Sequence, residues 1–330
     1  MSPIRLVHLT TIPMSLTFLR GQPGYLAGRG VEVTAVSSPD PELAEFGARE
    51  GVPVHGVRML RRISPLHDLA ALSRIVRVLR RVRPHIVHAH TPKGGLLGMI
   101  GAWAARVPVR VYHMRGLPLT TATGGKRRLL RATERVSCRL AHRVLCVSPS
   151  LRDVALAEGL CPPEKITVPA GGSGQGVDAA GRFDPARLPA GTRASVRADF
   201  GIPADATVVG FVGRVVRDKG VAELAEAWAA LRAEFPGARL LLVGPFEPQD
   251  PLPAETEGAL RGDPSVVLAG EDWDTPRLYA AMDVVVLPSY REGFPNVPLE
   301  AAAMELPVVS TRVPGCVDAV ADGETGTLVP

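Results

Sequence analysis

The sequence is poor in cysteine and in aromatic residues. Its 330 residues include only four cysteines, with no CxxC pair and no spacing typical of metal ligands: Cys138, Cys146, Cys161 and Cys316. This scatter favours reduced thiols in a cytosol-like compartment over a disulfide framework, and no metal site is expected. Aromatic residues make up only 5% of the chain, against 46% hydrophobic residues in total. We therefore expect a largely aliphatic core.

Long apolar runs are also lacking. The best stretch, residues 96–105, ends at Arg106 and is too short to span a bilayer. No charged-then-apolar leader precedes the first apolar run at residue 4, so no signal peptide is expected. These features predict a cytoplasmic protein that is at most peripheral on the inner face of the cell membrane.

Acidic residues are scarce in one half only. Residues 1–180 hold 25 Lys and Arg against 11 Asp and Glu, a net charge of +14, whereas residues 181–330 have a net charge of −9. The basic half is expected to lie near negative charge. Nucleic acid is not an expected partner, because no base-stacking or groove-reading motif accompanies the charge.

Short β-branched runs alternate with longer helical stretches along the whole chain. Runs that are apolar throughout, such as 283–288, are typical of parallel strands buried on both faces. The pattern predicts an α/β protein with two Rossmann-like, doubly wound parallel sheets. The predicted strands are 4–10, 31–37, 52–57, 85–91, 109–115, 143–148, 166–169, 207–212, 238–244, 265–269, 283–288, 306–310 and 326–329.

The two sheets predict two domains. Residues 1–180 form the first, residues 201–330 the second, and 181–200 a hinge within the Gly-, Pro- and Ala-rich stretch 171–201. Ligands of such sheets bind beyond the carboxyl ends of the strands, so the cleft between the domains is the expected site. The chain ends directly after its last strand, which suggests that the second domain is incomplete.

Two segments after strands of the second domain carry chemistry. The first runs from Gly213 to Gly220, and its Arg214 and Lys219 suit a diphosphate, although a solvated basic loop would look the same. In the second, Glu292 lies in a strand-to-helix loop and Glu300 in the first turn of an Ala-rich helix. With Asn296 as N-cap, that helix start would bind an anion. Taken singly, Glu292 is better explained as a surface-loop residue and Glu300 as a residue that interacts with the helix dipole.

Together these motifs resemble the retaining GT-B glycosyltransferases of family 4, in their capsule and exopolysaccharide branch. The Gly213–Gly220 segment is similar to the family's diphosphate loop, and Glu292 with Glu300 to its E-x7-E motif. The resemblance implies a donor site in which Arg214 and Lys219 hold the diphosphate, Glu300 the ribose and Glu292 the sugar. The further donor contacts it implies are Gly213, Gly293, Phe294, Pro295, Asn296 and Trp273. Trp273 would stack on the base, with a core position as the alternative.

The first domain resembles the family less closely. The family's sugar-contacting His before a Gly is replaced by Arg115 before Gly116, and His113 lies two residues earlier. If strand alternation holds, His113 and Arg115 share a face, and His113 is the catalytic candidate. His88 and His90 are expected to be packed or solvated. Near the helix end, Glu305 occupies a left-handed cap position where the family has Gly, at a cost of about 1 kcal/mol.

Asp272 and Asp274 form a D-x-D pair, which can indicate metal binding, but Asp274 with Pro276 is typical of a helix start. We expect the structural role. The resemblance thus implies metal-independent transfer with retention, without a cofactor. The departing diphosphate is stabilised by Arg214, Lys219 and the helix start.

The expected substrates are a nucleotide-sugar donor, UDP-linked, and a polyprenyl-diphosphate-linked glycan acceptor. Two basic helical stretches, 74–83 and 126–135, would lie on an anionic membrane, or else be ordinary amphipathic helices. Two alternatives to transfer remain open at this stage: a sugar-nucleotide epimerase, and a subunit that only binds the nucleotide sugar.

Overall fold

The computed structural model describes residues 2–248 and 250–330. The chain divides into two compact units, Met1–Gln175 and Gly176–Pro330.

Unit 1 is a parallel sheet of seven strands in the order β3-β2-β1-β4-β5-β6-β7. Valine, leucine and isoleucine fill the strand interiors, and β1 is buried over its last four residues. The strands are β1 Ile4–Leu9, β2 Val31–Ser37, β3 Val54–Gly56, β4 Ile86–His90, β5 Val109–Met114, β6 Arg143–Cys146 and β7 Ile166–Thr167. The helices are α1 Gln22–Ala27, α2 Pro41–Glu50, α3 Pro65–Val82, α4 Pro92–Ala104, α5 Gly124–Leu140 and α6 Pro149–Ala157.

Unit 2 is a parallel sheet of six strands in the order β10-β9-β8-β11-β12-β13. Its central strand is buried along its whole length. The strands are β8 Val208–Val212, β9 Arg239–Val243, β10 Val266–Gly270, β11 Val284–Leu287, β12 Val308–Thr311 and β13 Gly326–Val329. The helices are α7 Thr192–Asp199, α8 Val221–Glu234, α9 Ala254–Gly262, α10 Thr275–Ala280, α11 Asn296–Ala303 and α12 Cys316–Ala319.

Two doubly wound parallel sheets confirm the predicted fold class. Every predicted strand is present, most of them shortened by one or two residues at their ends. The stretch predicted as a hinge differs, because it contains α7 and belongs to unit 2. Phe183 and Val196 are buried in the core of unit 2, so burial of apolar side chains holds this segment against the sheet.

The carboxyl ends of β8, β9 and β11 approach one another closely enough to require glycine. A Cβ on Gly244 would lie 1.9 Å from the carbonyl oxygen of Gly213, and one on Gly220 would lie 2.0 Å from that of Pro288. Both glycines also have positive φ, 138° and 69° respectively. These contacts bring the loops after the three strands together.

Candidate donor site

The two sequence motifs of unit 2 meet at the carboxyl edge of its sheet. Lys219, at the end of a 3₁₀ turn after β8, forms an ion pair with Glu292 from the loop after β11. The hydroxyl of Ser289 also donates to Glu292, with an Oγ–Oε1 distance of 2.7 Å. The amide of Tyr290 donates to the carbonyl of Asp218 at 3.1 Å, which fastens the two loops to each other. The structure thus brings the two motifs into contact, and their binding of a donor stays a prediction.

Arg214 is engaged by a residue that the sequence did not single out. Its Nη1 atom lies 2.8 Å from Oε2 of Glu247, which follows β9. Both predicted diphosphate cations are thus paired with carboxylates. A diphosphate carries two or three negative charges, so it can displace the carboxylates or bind the cations together with them. The cost of binding it includes breaking these ion pairs.

Glu300 lies on α11, with its Oε2 atom 2.9 Å from the hydroxyl of the fully buried Tyr279. Burial raises the pKa of Glu300, while the Tyr279 hydrogen bond and the charge of Arg182 act in the opposite direction. Glu300 is the fifth residue of α11 and not in its first turn as predicted, because the helix begins at Asn296. The carboxylate therefore projects from the second turn.

Asn296 is the first residue of α11 and not its N-cap, which is Pro295. The proline is extended, with φ −72° and ψ 134°, and has no side chain that could accept from the first-turn amides. Instead, Nδ2 of Asn296 donates to the carbonyl of Gly176 at 3.4 Å. The N-cap residue thus makes no side-chain capping hydrogen bond, and the first-turn amides of α11 point out of the helix at its N-terminus.

The neighbouring segment is closely packed. A Cβ on Gly315 would lie 2.6 Å from the carbonyl oxygen of Gly293 and 3.1 Å from Cβ of Glu292. Phe294 is partly buried and Pro295 is buried. The predicted donor contacts around α11 thus belong to an ordered strand-to-helix loop.

Trp273 is 60% exposed, so the core alternative considered for it is wrong. Its carbonyl accepts a hydrogen bond from Arg182, the same cation whose charge acts on Glu300. Arg182 thus links two predicted nucleotide contacts, although nothing in the local sequence marks it. The indole is accessible for stacking on a planar base.

The carboxylate of the first aspartate in the D-x-D pair makes hydrogen bonds within its own turn. Oδ1 of Asp272 accepts from the amide of Asp274 at 2.8 Å, and Oδ2 accepts from Arg277 at 2.5 Å. The amide of Asp274 and the guanidinium of Arg277 lower the pKa of Asp272. Asp274 occupies the N-cap position of α10, but its own side chain makes no capping hydrogen bond. The side chain of Asp272, and not that of Asp274, therefore stabilises the turn before α10.

In unit 1, His113 on β5 and Arg115 directly after β5 both reach His90, as expected for residues two apart in an extended segment. The rings of His113 and His90 lie 5.3 Å apart between centroids, and Nε of Arg115 donates to Nδ1 of His90 at 3.2 Å. Burial, followed by the charge of Arg115, lowers the pKa of His113 to about 3. His113 is therefore a neutral imidazole at physiological pH, and its predicted catalytic role stays a prediction.

Comparison with known proteins bears on the identity of both units. The family model described as "Glycosyl transferase 4-like domain" matches residues 18–172, and "Glycosyl transferases group 1" matches residues 206–330. The capsular polysaccharide biosynthesis glycosyltransferase CapM of Staphylococcus aureus is 33% identical over 326 residues, covering 98% of this chain and 83% of CapM. The chain is a group 1 glycosyltransferase of the GT-B fold.

A further relative is also a glycosyltransferase, and a solved structure shares the fold. A UDP-Gal:α-D-GlcNAc-diphosphoundecaprenol α-1,3-galactosyltransferase of Escherichia coli is 27% identical over 260 residues, covering 78% of this chain and 65% of that enzyme. The structure of HepE from Anabaena, solved with UDP and glucose, has a TM-score of 0.77 at 21% identity and covers 98% of this chain and 85% of HepE. Membership of this glycosyltransferase family removes the epimerase alternative.

Proposed function

We propose that this glycosyltransferase moves a hexose or N-acetylhexosamine from a UDP-sugar to a lipid-linked glycan in capsular polysaccharide synthesis, with retention of the anomeric configuration. The Lys219–Glu292 ion pair carries the proposal, because it unites the two motifs in one site. The similarity to CapM supports the capsular pathway, and the similarity to the diphosphoundecaprenol galactosyltransferase supports UDP and a polyprenyl-diphosphate acceptor.

In the proposed mechanism the donor diphosphate binds Arg214 and Lys219, with the first-turn amides of α11 behind it. Glu300 accepts hydrogen bonds from the ribose hydroxyls, Glu292 contacts the sugar and Trp273 stacks on the base. Cations and helix amides placed where charge develops on the departing diphosphate lower the barrier without an enzyme nucleophile. A diphosphate oxygen takes the proton of the acceptor hydroxyl on the same face of the sugar.

Variants of the donor residues test the site. Charge-assisted hydrogen bonds contribute about 1.5–3 kcal/mol each, so Lys219→Ala and Glu300→Gln are expected to lower kcat/KM by roughly tenfold to over a hundredfold. The exposed Glu324 provides a matched control, and Glu324→Gln should leave transfer unchanged. Turnover is measured with a panel of labelled UDP-sugars and lipid-linked acceptors, and NMR of the product reports the anomeric configuration.

Wild-type turnover in both variants would refute the donor assignment. Binding of UDP without any turnover by the unmodified chain would favour the alternative of a subunit that only binds. An inverted product would contradict retention while leaving the donor site in place.

We also propose that transfer needs no metal ion at the diphosphate, because Asp272 is engaged by its own turn. Transfer should persist in EDTA without gain from added Mg²⁺ or Mn²⁺, and Asp272→Asn should change kcat by less than about twofold. Activity that is lost in EDTA and restored only by Mg²⁺ or Mn²⁺ would contradict the proposal.

The acceptor proposal is supported by the surface of α3. The helix buries Ala71, Ile75 and Leu79, while Leu66 and Leu69 at its start are 83% and 66% exposed. Arginines continue the exposed face: Arg74, Arg77, Arg80 and Arg81. Apolar side chains followed by cations are typical of a helix that lies on an anionic bilayer. No helix among residues 2–248 and 250–330 has the length and hydropathy needed to cross a membrane.

A further inference from the structure

Four histidines of unit 1 lie on one face of its sheet, a set referred to below as the histidine cluster: His8, His88, His90 and His113. The register pairs His8 on β1 with His88 on β4, and His90 on β4 with His113 on β5. Since residues two apart in a strand share a face, the four rings form a grid. Ring centroids are 4.2 Å apart for His88 and His90 and 5.1 Å apart for His8 and His88.

Three ring nitrogens of the histidine cluster are buried and have no hydrogen-bond partner among the residues that the structure describes. They are Nε2 of His8, Nε2 of His88 and Nδ1 of His113. His8 is only 1% exposed. A buried, unpaired atom of this kind in a native protein calls for an explanation, and for Nε2 of His88 a bound ion would supply the missing partner.

The hydrogen bonds of His90 fix how the remaining nitrogens are used. A guanidinium can only donate, so Nδ1 of His90 accepts from Nε of Arg115. The neutral ring then carries its proton on Nε2, which lies 3.0 Å from Nδ1 of His8 and donates to it. The His8–His90 contact is therefore held by a single proton between two nitrogens.

We propose that His8, His88 and His90 form a binding site for one divalent transition-metal ion of the zinc class. One ring nitrogen from each residue lies within 4.8 Å of the others. Two nitrogens bound to tetrahedral zinc at about 2.0–2.1 Å are roughly 3.3 Å apart, and the 3.0 Å His8–His90 pair is close to that separation. The ion takes the place of the shared proton, and His88 closes in as third ligand.

The donor set selects the type of ion. Imidazole nitrogens suit Zn²⁺, Co²⁺, Ni²⁺ and Cu²⁺, whereas Mg²⁺ and Ca²⁺ require oxygen ligands. The three ligands belong to unit 1 and none of them is a donor-site residue. The proposal of metal-independent transfer concerns other residues, those of the donor site in unit 2.

Arg115 opposes this ion in two ways. Its charge repels a cation nearby, and its Nε–H occupies Nδ1 of His90, which must carry a proton once Nε2 binds metal. A histidine ligand is usually supported by an acceptor on its other nitrogen. Replacing Arg115 with glutamine removes the charge and offers an amide oxygen as that acceptor. Arg115→Gln should therefore tighten metal binding about tenfold or more.

The experiment uses the full chain, stripped with a chelator and transferred to metal-free buffer. Co²⁺ is titrated while visible d–d absorption is recorded, and Zn²⁺ is then added as competitor. We expect one Co²⁺ per chain, with the intense absorption of a four- or five-coordinate site that Zn²⁺ abolishes. His88→Gln should weaken binding at least tenfold, whereas His67→Gln, which removes an exposed histidine, should not change it.

Two outcomes would overturn the proposal: an unchanged Co²⁺ titration in His88→Gln, or an affinity in Arg115→Gln that is equal to or weaker than that of the unmodified chain. If His88→Gln does not fold, as judged by circular dichroism, the Arg115→Gln titration decides alone. A surface histidine that bound Co²⁺ adventitiously would not respond to Arg115.

Discussion

The carboxyl group of Glu134 is buried in unit 1, and its environment makes the free energy of unfolding depend on pH. It is 2% exposed on α5, and Oε2 accepts from the hydroxyl of the fully buried Tyr112 at 2.8 Å. Burial raises the pKa of Glu134 to about 7 from 4.5, with the Tyr112 hydrogen bond acting in the opposite direction. The folded chain thus holds a proton that the unfolded chain releases at lower pH.

The free energy of unfolding should therefore decrease as the pH rises from about 4.5 to about 7, by roughly 1–3 kcal/mol from this group. The contribution is fully present below the pKa of the unfolded chain and is lost as the pH passes the pKa of the folded chain. Glu134→Gln keeps an acceptor for Tyr112 and should remove that part of the slope. Urea unfolding between pH 4.5 and 8 measures it, with the exposed Glu45→Gln as control. An equal slope in Glu134→Gln and the unmodified chain would contradict the assignment.

Single residues of the donor site could be predicted only where a motif marked them. Lys219 and Glu292 were identified by the spacing of two motifs, and the ion pair between them follows from strands β8 and β11 being neighbours. Glu247, Tyr279 and Arg182 carry no such mark, because their contacts depend on loops far apart in sequence. The sequence indicates which residues bear the chemistry better than it indicates their partners.

Among the elements, the strands could be predicted from the sequence, but the start of one helix could not. The strands were predictable because a parallel strand buried on both faces is apolar at every position. The start of α11 was not, because Asn296 is a good N-cap by type but lies one residue inside the helix. The histidine cluster was also missed, since only the register of three parallel strands brings those rings together.

The left-handed residue after α11 was predicted correctly from the sequence, and replacing it should increase the stability of the chain. Glu305 has φ 61°, as expected for a left-handed residue after the helix, and it is exposed. Glu305→Gly relieves the Cβ strain of this conformation and should stabilise the chain by about 0.5–1 kcal/mol. Ala230→Gly, at an exposed position inside α8, should destabilise it by a similar amount. Urea unfolding of both variants measures the two signs, and destabilisation by Glu305→Gly would refute the argument.

At the scale of the whole molecule, the charge of the chain is divided between its halves. Residues 1–180 have a net charge of +14 and residues 181–330 a net charge of −9. Some of the cations are used within the fold. Arg127 and Arg131 both bind Glu158, so they tie α5 to the end of α6. The exposed arginines of α3 are the better candidates for a role outside the protein.

The exposed arginines of α3 should determine how strongly the chain binds an anionic membrane. The triple variant Arg74→Gln, Arg77→Gln and Arg80→Gln should weaken binding to vesicles of anionic lipid by about a hundredfold, since each cation near such a surface contributes about 1 kcal/mol. Binding by the unmodified chain should also fall steeply with added salt, because the screening length is only about 8 Å at physiological ionic strength. Co-sedimentation with phosphatidylglycerol vesicles, at several salt concentrations, measures both effects.

The matched control changes the net charge equally at exposed arginines of unit 2: Arg187→Gln, Arg217→Gln and Arg261→Gln. If α3 is the docking surface, this second triple variant should retain nearly all of the binding, because its cations do not lie beside the exposed Leu66 and Leu69. Equal loss in both variants would mean that total charge, and not α3, determines attraction to the bilayer. Equal binding of the unmodified chain to neutral and anionic vesicles would refute the electrostatic argument altogether, and with it the case for α3 as the side that meets a lipid-linked acceptor.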